Sequence, residues 1–345
     1  MILNPSNPED RAQFYRIGKS VRESYDVSMA SLWRDSENLE QMAGMKEKQL
    51  KIFGKEGGRI GVFKLSDDLG AIGWYECLDN PDLANELLSW AVDQLRALGA
   101  KNVVGPVNGS VWYNYRFNLS SSKPMFVGEP HQPHYYVKQW EHFGFEIGER
   151  YETNVSELQP DRYPSFEELR DELEAKGLVL KVFTAEVNNK YIEGFYELVI
   201  SSFNKSKIYT PISHEDYIQV SADYPKVLDQ QHSFVAFDGD KPIAFVGCIL
   251  DLFRSFYLTS GTDENIYTQP KLIIKTLVVH PDWQLKGIGA LLVKAAMRSA
   301  IDDGIYNVVH ALMHEDNLSA VGGKRMFATS SKSKYTLFKL KLDED

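Results

Sequence analysis

Apolar positions along this chain switch between a strand-like and a helical period, and they do so in the same order twice. Leu83, Leu87, Leu88, Ala91, Val92 and Leu95 recur at helical spacing and predict an amphipathic helix from Asp82 to Leu98. Leu291, Leu292, Ala295, Ala296 and Ser299 repeat that spacing and predict a helix from Ala290 to Asp303. A strand-like run precedes each helix, Ala71 to Leu78 in one case and Leu272 to His280 in the other. Further upstream lie Arg59 to Leu65 in the first half, and Phe234 to Phe237 with Pro242 to Leu252 in the second. Each helix is followed by a glycine and another apolar run, Gly-Ala-Lys-Asn-Val-Val from Gly99 and Gly-Ile-Tyr-Asn-Val-Val from Gly304. The recurring order reads as a tandem repeat of one α/β unit.

The join between the repeats is marked locally. Ser165-Phe-Glu-Glu168 has the spacing of a capping box, and the charged run it opens ends at Gly177. A fresh strand pattern then begins, Leu178 to Phe183. The expected domains are therefore residues 1–164 and 165–345, with 165–177 a linker helix. A length of 345 residues independently favours two cores over one.

Charge and cysteine content narrow the function classes. A net charge of −10 argues against a nucleic-acid surface and favours a cationic or amine partner. Cys77 and Cys248 stand alone in separate apolar runs, so neither a disulfide framework nor a metal motif is expected. His131-Gln-Pro-His134 beside Glu129 is a weak metal pattern, because no helix aligns the two imidazoles. The first residues lack the basic start and apolar core of a signal peptide, and runs such as Ile243 to Leu250 are too short to span a bilayer. The expectation is a cytoplasmic protein with no membrane partner.

The chemistry concentrates in Gln284-Leu285-Lys286-Gly287-Ile288-Gly289-Ala290, between the strand Leu272 to His280 and the helix from Ala290. Free N–H groups of a first helical turn converge there, and the helix dipole favours an anion. Glycines at alternate positions let the backbone lie close to a diphosphate. A dinucleotide fingerprint fails, because its third glycine would be Leu292 and half a dozen residues separate strand from glycines. A Walker loop fails too, since Gly289 is followed by Ala-Leu-Leu. At the 205-residue offset from Gly99 to Gly304, Gln284 falls on Asp79, Gly287 on Asp82 and Gly289 on Ala84. Two carboxylates and a Cβ would oppose a diphosphate, so the first repeat is expected to lack the cofactor loop.

The spacing Gln-x-x-Gly-x-Gly/Ala after a strand ending in Val-x-Pro resembles the pyrophosphate loop of the GCN5-related N-acetyltransferase (GNAT) superfamily. Lys275-Thr-Leu-Val-Val-His-Pro281 is similar to that family's fourth strand, and Ala311-Leu-Met-His-Glu-Asp-Asn-Leu-Ser-Ala320 to its fifth strand and the helix beyond. The resemblance implies two tandem GNAT-like domains, α/β (α+β), each a mixed and mostly antiparallel sheet flanked by helices, the first degenerate. It implies acetyl-CoA as acyl donor, held by Leu277, Val278, Val279, Gln284, Leu285, Lys286, Gly287, Ile288, Gly289, Ala290, Asn317 and Ser319. The implied activity is acyl transfer to a primary amine of a small molecule or peptide.

The segment Val104 to Phe117, with Glu129-Pro-x-x-Pro and Glu141-His-Phe-Gly-Phe145, resembles a group of GNAT-like proteins more distantly. Trp112, Tyr115 and Arg116, in a cluster with Tyr113 and Phe117, are the candidate acceptor-binding residues, with packing as the alternative. An alkylamine with a pKa of about 10.4 must lose a proton before it attacks a thioester, and the oxyanion that forms needs a donor. Where the family carries a glutamate base this chain has Lys275 and Thr276, and where it carries a tyrosine acid this chain has Lys324. The candidate catalytic residues are therefore His280, Glu315 and Tyr335, with His314 and Asp316 as further bases. These departures motivate an alternative, a catalytically silent CoA-binding or scaffold protein. Transfer from an aminoacyl-tRNA is disfavoured by the net charge, despite Lys324, Arg325, Lys332 and Lys334. Acceptor specificity is expected in the loops Tyr209 to Tyr224 and Asp251 to Gln269.

Overall fold

The computed structural model describes residues 1–25, 49–120, 126–203, 209, 212–251, 270–316 and 329–342. The first part of the chain carries β1 (Ile2–Leu3), α1 (Pro8–Tyr25), β2 (Lys51–Lys55), β3 (Gly58–Lys64), β4 (Leu69–Cys77), α2 (Pro81–Ala97), β5 (Asn102–Gly105), β6 (Phe117–Asn118) and α3 (His134–Phe143). Next come β7 (Glu146–Glu157), α4 (Phe166–Glu174), β8 (Val179–Val182), α5 (Ala185–Lys190), α6 (Ile192–Phe203), α7 (His214–Ser221) and α8 (Tyr224–Val227). The last elements are β9 (Phe234–Asp238), β10 (Lys241–Asp251), β11 (Lys271–Val279), α9 (Ile288–Asp302), β12 (Asn307–His314) and β13 (Thr329–Lys341). They form two compact units, one of Met1–Pro124, Pro130–Tyr151 and Ser333–Asp345, the other of Met125–Glu129 and Glu152–Lys332.

In the first unit β2, β3 and β4 pair antiparallel, and β4 then pairs parallel with β5 from Leu69↔Asn102 to Ala71↔Val104. The helical spacing read in the sequence puts Leu83, Leu87, Leu88, Ala91 and Leu95 of α2 into one core with Ile60, Val62 and Ile72. Burying one such leucine contributes about 1.5–3 kcal/mol. Trp140 of α3 packs edge-on against Phe117 and Tyr75 in the same core. Helix α1 is anchored by a buried charge pair, Arg22 Nη1 donating to Glu76 Oε1 at 2.8 Å. Glu76 Oε2 also accepts the Tyr136 hydroxyl at 2.8 Å.

In the second unit β8, β9, β10 and β11 run antiparallel, and β11 pairs parallel with β12. Side chains alternate across the sheet. Ala244 and Val246 of β10 share a core with α9 and α4, while Phe245 between them meets Phe195 of α6 and Phe183 on the other face. The capping box is formed in full, with the Ser165 side chain accepting from Glu168 N and Glu168 bonding back to Ser165 N.

The cut expected at residue 165 falls within the Glu152–Lys332 stretch of the second unit. The C-terminal strand, expected in the second repeat, belongs from Ser333 onward to the first unit, where β13 pairs antiparallel with β5 through Leu340↔Val103. Strand pairing is a long-range property, and the local pattern of β13 carries no mark of its partner.

Candidate active site

The strand β11 runs into a short 3-10 turn, Pro281–Trp283, and then into the glycine turn that starts α9. Gln284 reaches back to bind the strand end, its Nε2 donating to Val279 O at 3.1 Å. Leu285 and Gly287 both take left-handed backbone, φ 63° and 81°. Leu285 is 86% exposed there, an unusual place for leucine in both respects. Lys286 lays its Nζ 4.7 Å from the centre of the Trp283 ring.

The two glycines serve different ends. Gly287 is needed for its positive φ, and a Cβ there would meet nothing within 4 Å. A Cβ on Gly289 would stand 3.2 Å from Val279 Cγ2 and 3.5 Å from Leu277 Cδ2. Its hydrogen therefore lets the helix start press against the strand, rather than clearing space toward solvent.

Helix α9 begins with Gly287 as N-cap, with no side-chain capping bond and no acidic residue in its first turn. The N–H groups of Ile288, Gly289 and Ala290 thus form a positive pole without an internal anion. Helix α2 of the first unit is closed in three ways: Asn80 Oδ1 accepts from Leu83 N at 3.1 Å, Pro81 has no N–H to offer, and Asp82 adds a negative charge.

Beside this pole the sheet opens. β11 and β12 pair from Lys271↔Asn307 to Ile274↔His310, and among the described residues no pair follows, although both strands continue. Two irregularities account for the parting. On β11 the register against β10 slips between Gly247↔Thr276 and Cys248↔Ile274, which makes Lys275 a bulge residue. On β12 Leu312 turns left-handed, φ 57°, and gives its N–H to Thr153 Oγ1 of β7 at 3.0 Å. His280 N bonds Ile243 O of β10 at 2.8 Å. Antiparallel bonding alternates along the strand, so Leu277 and Val279 aim their backbone groups into the open seam. The carbonyl of Val279 is taken by Gln284 Nε2 and Ser202 Oγ, which leaves its N–H for the seam.

The matching seam of the first unit is filled by its own chain. After Ala71↔Val104 the strands part, and Val107 N donates to Ile72 O at 2.8 Å while Asn108 Oδ1 accepts from Trp74 N at 2.7 Å. The fit is so close that a Cβ on Gly73 would stand 1.9 Å from Val107 O.

A strand, a glycine turn, an uncapped helix and two parting parallel strands lie within a segment that matches a known family. Residues 192–322 match the model of the Acetyltransferase (GNAT) family. The chain carries a GNAT domain. Solved structures agree on the fold: a tandem GNAT protein from the clavulanic acid biosynthesis pathway aligns with a TM-score of 0.51 at 10% identity, covering 100% of this chain and 99% of that one. A GCN5-related N-acetyltransferase from Anabaena variabilis gives 0.55 at 12% identity, covering 98% and 72%, and one from Kribbella flavida gives 0.51 at 10%, covering 96% and 69%. No curated protein matches by sequence. The whole chain thus shares the fold of these two-domain structures, and its residues 192–322 match an acetyltransferase family.

Within the GNAT domain the expected cofactor residues from Leu277 to Ala290 come together around one loop, Val278 being buried on β11. Asn317, Ser319, Lys324 and Arg325 lie outside the described residues. His280 is tied into the turn: its Nδ1 accepts from Asp282 N at 3.3 Å, which puts the ring proton on Nε2 and engages the lone pair a base would use. His314 is held likewise by Asp316 N at 3.2 Å, and Glu315 is exposed at the end of β12. Tyr335 lies in the first unit, buried on β13 opposite Asn118.

Arg116, Tyr115 and Trp112 also belong to the first unit. The Arg116 guanidinium is stacked between Tyr115 and Tyr151, 3.7 Å and 4.1 Å from their ring centres, and burial lowers its pKa. Cys77 and Cys248 are buried free thiols, and burial pushes Cys77 up to about 12, which leaves it protonated and inert at neutral pH. Among the described residues no group of three His, Cys, Asp or Glu could hold a metal ion, and no helix is long and apolar enough to cross a membrane.

One residue at the seam escaped the sequence reading. His310, at the last paired position of β12, is 7% exposed, and burial lowers its pKa to about 4. The signal was present: an imidazole inside the apolar run Val308-Val-His-Ala-Leu-Met313 occupies a buried strand position.

Proposed function

We propose that the second unit is an acyl-CoA-dependent N-acyltransferase that moves an acetyl group from acetyl-CoA to a primary amine of a small molecule or peptide. The observation that carries this is the uncapped, acid-free start of α9 facing the open seam, where the matching helix of the first unit is capped and its seam filled. The N–H groups of Ile288, Gly289 and Ala290 would hold the diphosphate, with Lys286 adding positive charge beside them. The exposed edge of β11 would take the pantetheine arm as an added strand, through Leu277 and the N–H of Val279.

Acetyl-CoA supplies its acyl group as a thioester, whose thiol with a pKa of about 8.5 leaves with modest acid help. The chain's own contribution is positioning: the arm lies along the edge of β11, so that the thioester is presented in the seam to the attacking amine. With the Nδ1 lone pair of His280 held by the turn, we assign the amine proton to water that enters the open seam rather than to a dedicated side-chain base.

The test is thiol release from acetyl-CoA across a panel of primary amines, with wild type beside Ala290→Glu. Ala290 is exposed in the first turn of α9, so a glutamate there is tolerated by the helix dipole yet repels a diphosphate. Amine-dependent release that disappears in Ala290→Glu is expected. Release that persists unchanged in the variant would remove the cradle from the account, and tight CoA binding with no transfer to any amine would favour the silent binder.

A further inference from the structure

The parting of β11 and β12 has a vertex, and His310 occupies it. The last pair of the two strands is Ile274↔His310, the Lys275 bulge follows on one side, and the left-handed Leu312 with its bond to Thr153 follows on the other. From Val279 back to Ile274 the open edge spans five residue steps, about 16 Å at the rise of a strand. On the acyl-CoA reading, which this inference rests on, the diphosphate is fixed at Ile288 to Ala290 and the arm runs back along Val279 and Leu277. Its reactive end then arrives where the seam closes. No other titratable side chain of β12 before its exposed end is buried among the described residues; Asn307 and His314 flank a run that is otherwise apolar.

We propose that His310 meets the thioester end of the bound acyl-CoA and donates an imidazole N–H to its carbonyl oxygen, a specificity and catalytic role. Burial keeps the ring neutral, with its pKa at about 4, so at neutral pH it carries one N–H and one lone pair. A neutral imidazole is a poor base for an ammonium ion but a good polariser of a carbonyl, because it donates without losing its proton. The same bond strengthens as negative charge builds on that oxygen during attack.

The experiment is a calorimetric titration with two probes, acetyl-CoA and desulfo-CoA, whose pantetheine ends in a methyl group and offers no thioester carbonyl. Wild type is expected to bind acetyl-CoA about tenfold more tightly, the discrimination one good hydrogen bond gives. His310→Leu, which replaces the ring by an apolar side chain of similar size, is expected to bind both alike. His310→Asn keeps a donor and should retain part of the preference. Thermal unfolding at neutral pH checks that both variants fold. A preference that survives intact in His310→Leu, or a wild type with no preference, overturns the assignment. Failure of wild type to bind either probe instead overturns the acyl-CoA reading beneath it.

Discussion

The buried imidazole of His310 makes a quantitative prediction about acid stability that involves no ligand. A free histidine titrates near 6.5, and burial brings His310 down to about 4 in the folded chain. Because the folded-state pKa lies below the unfolded one, protonation favours unfolding. The stability this histidine contributes is complete above about pH 6.5 and is lost as pH falls from there through about 4. At about pH 4.5 the loss should reach about 2–3 kcal/mol, because roughly 2 pKa units separate that pH from the free value, at about 1.4 kcal/mol each, and the folded ring is still mostly unprotonated. His310→Leu has no proton to take up at this position. Urea unfolding of both proteins at about pH 7.5 and about pH 4.5 isolates the effect, since the other ionisations are common to the two. The variant should gain about 2–3 kcal/mol on wild type over that interval. Equal losses in the two proteins would mean that the ring is hydrated and titrates normally, and the argument for a neutral donor at the seam would fall with it.

Two further substitutions test the structural logic of the first unit. Gly73→Ala forces a Cβ to within 1.9 Å of the Val107 carbonyl oxygen, so the segment filling that seam must shift. A cost of about 1–3 kcal/mol is expected, read as a lower urea midpoint, and a neutral effect would show that the filling is loose. Glu76→Gln removes the carboxylate that Arg22 Nη1 reaches at 2.8 Å and Arg59 Nη2 at 3.7 Å, leaving two buried guanidinium groups without that charge. Chemical denaturation should show a loss of about 3–5 kcal/mol, and a loss under about 1 kcal/mol would mean that water reaches the pair.

Local pattern carried far in this chain, and its limits have physical causes. The α2 and α9 helices were legible because their apolar residues, seven of them buried in α2 and nine in α9, recur at helical spacing and leave no second way to bury them. The capping box at Ser165 was legible because both of its bonds lie within four residues. The partner of β13 was not, because nothing in a strand's local pattern names the edge it joins, and its contacts with β5 join Lys339 to Val104 across most of the chain. Gly289 was read as clearance for a ligand, but its missing Cβ faces Val279, which only the packing of helix on strand could reveal. Asn108 with Gly109 has the composition of a tight turn. Its second role, accepting from Trp74 N, depends on where that turn lands in the sheet. His310 was passed over because chemistry was sought at strand ends and loops, whereas the seam closes in mid-strand.

The central claim is one acyl-CoA site per chain, at the start of α9 and not at that of α2. Isothermal titration of acetyl-CoA into wild type and Ala290→Glu tests it most directly. The account predicts one bound ligand per chain in wild type, loss of binding in Ala290→Glu, and a variant as stable as wild type because a glutamate suits the first turn of a helix. Two ligands per chain, or undiminished binding in Ala290→Glu, would contradict it.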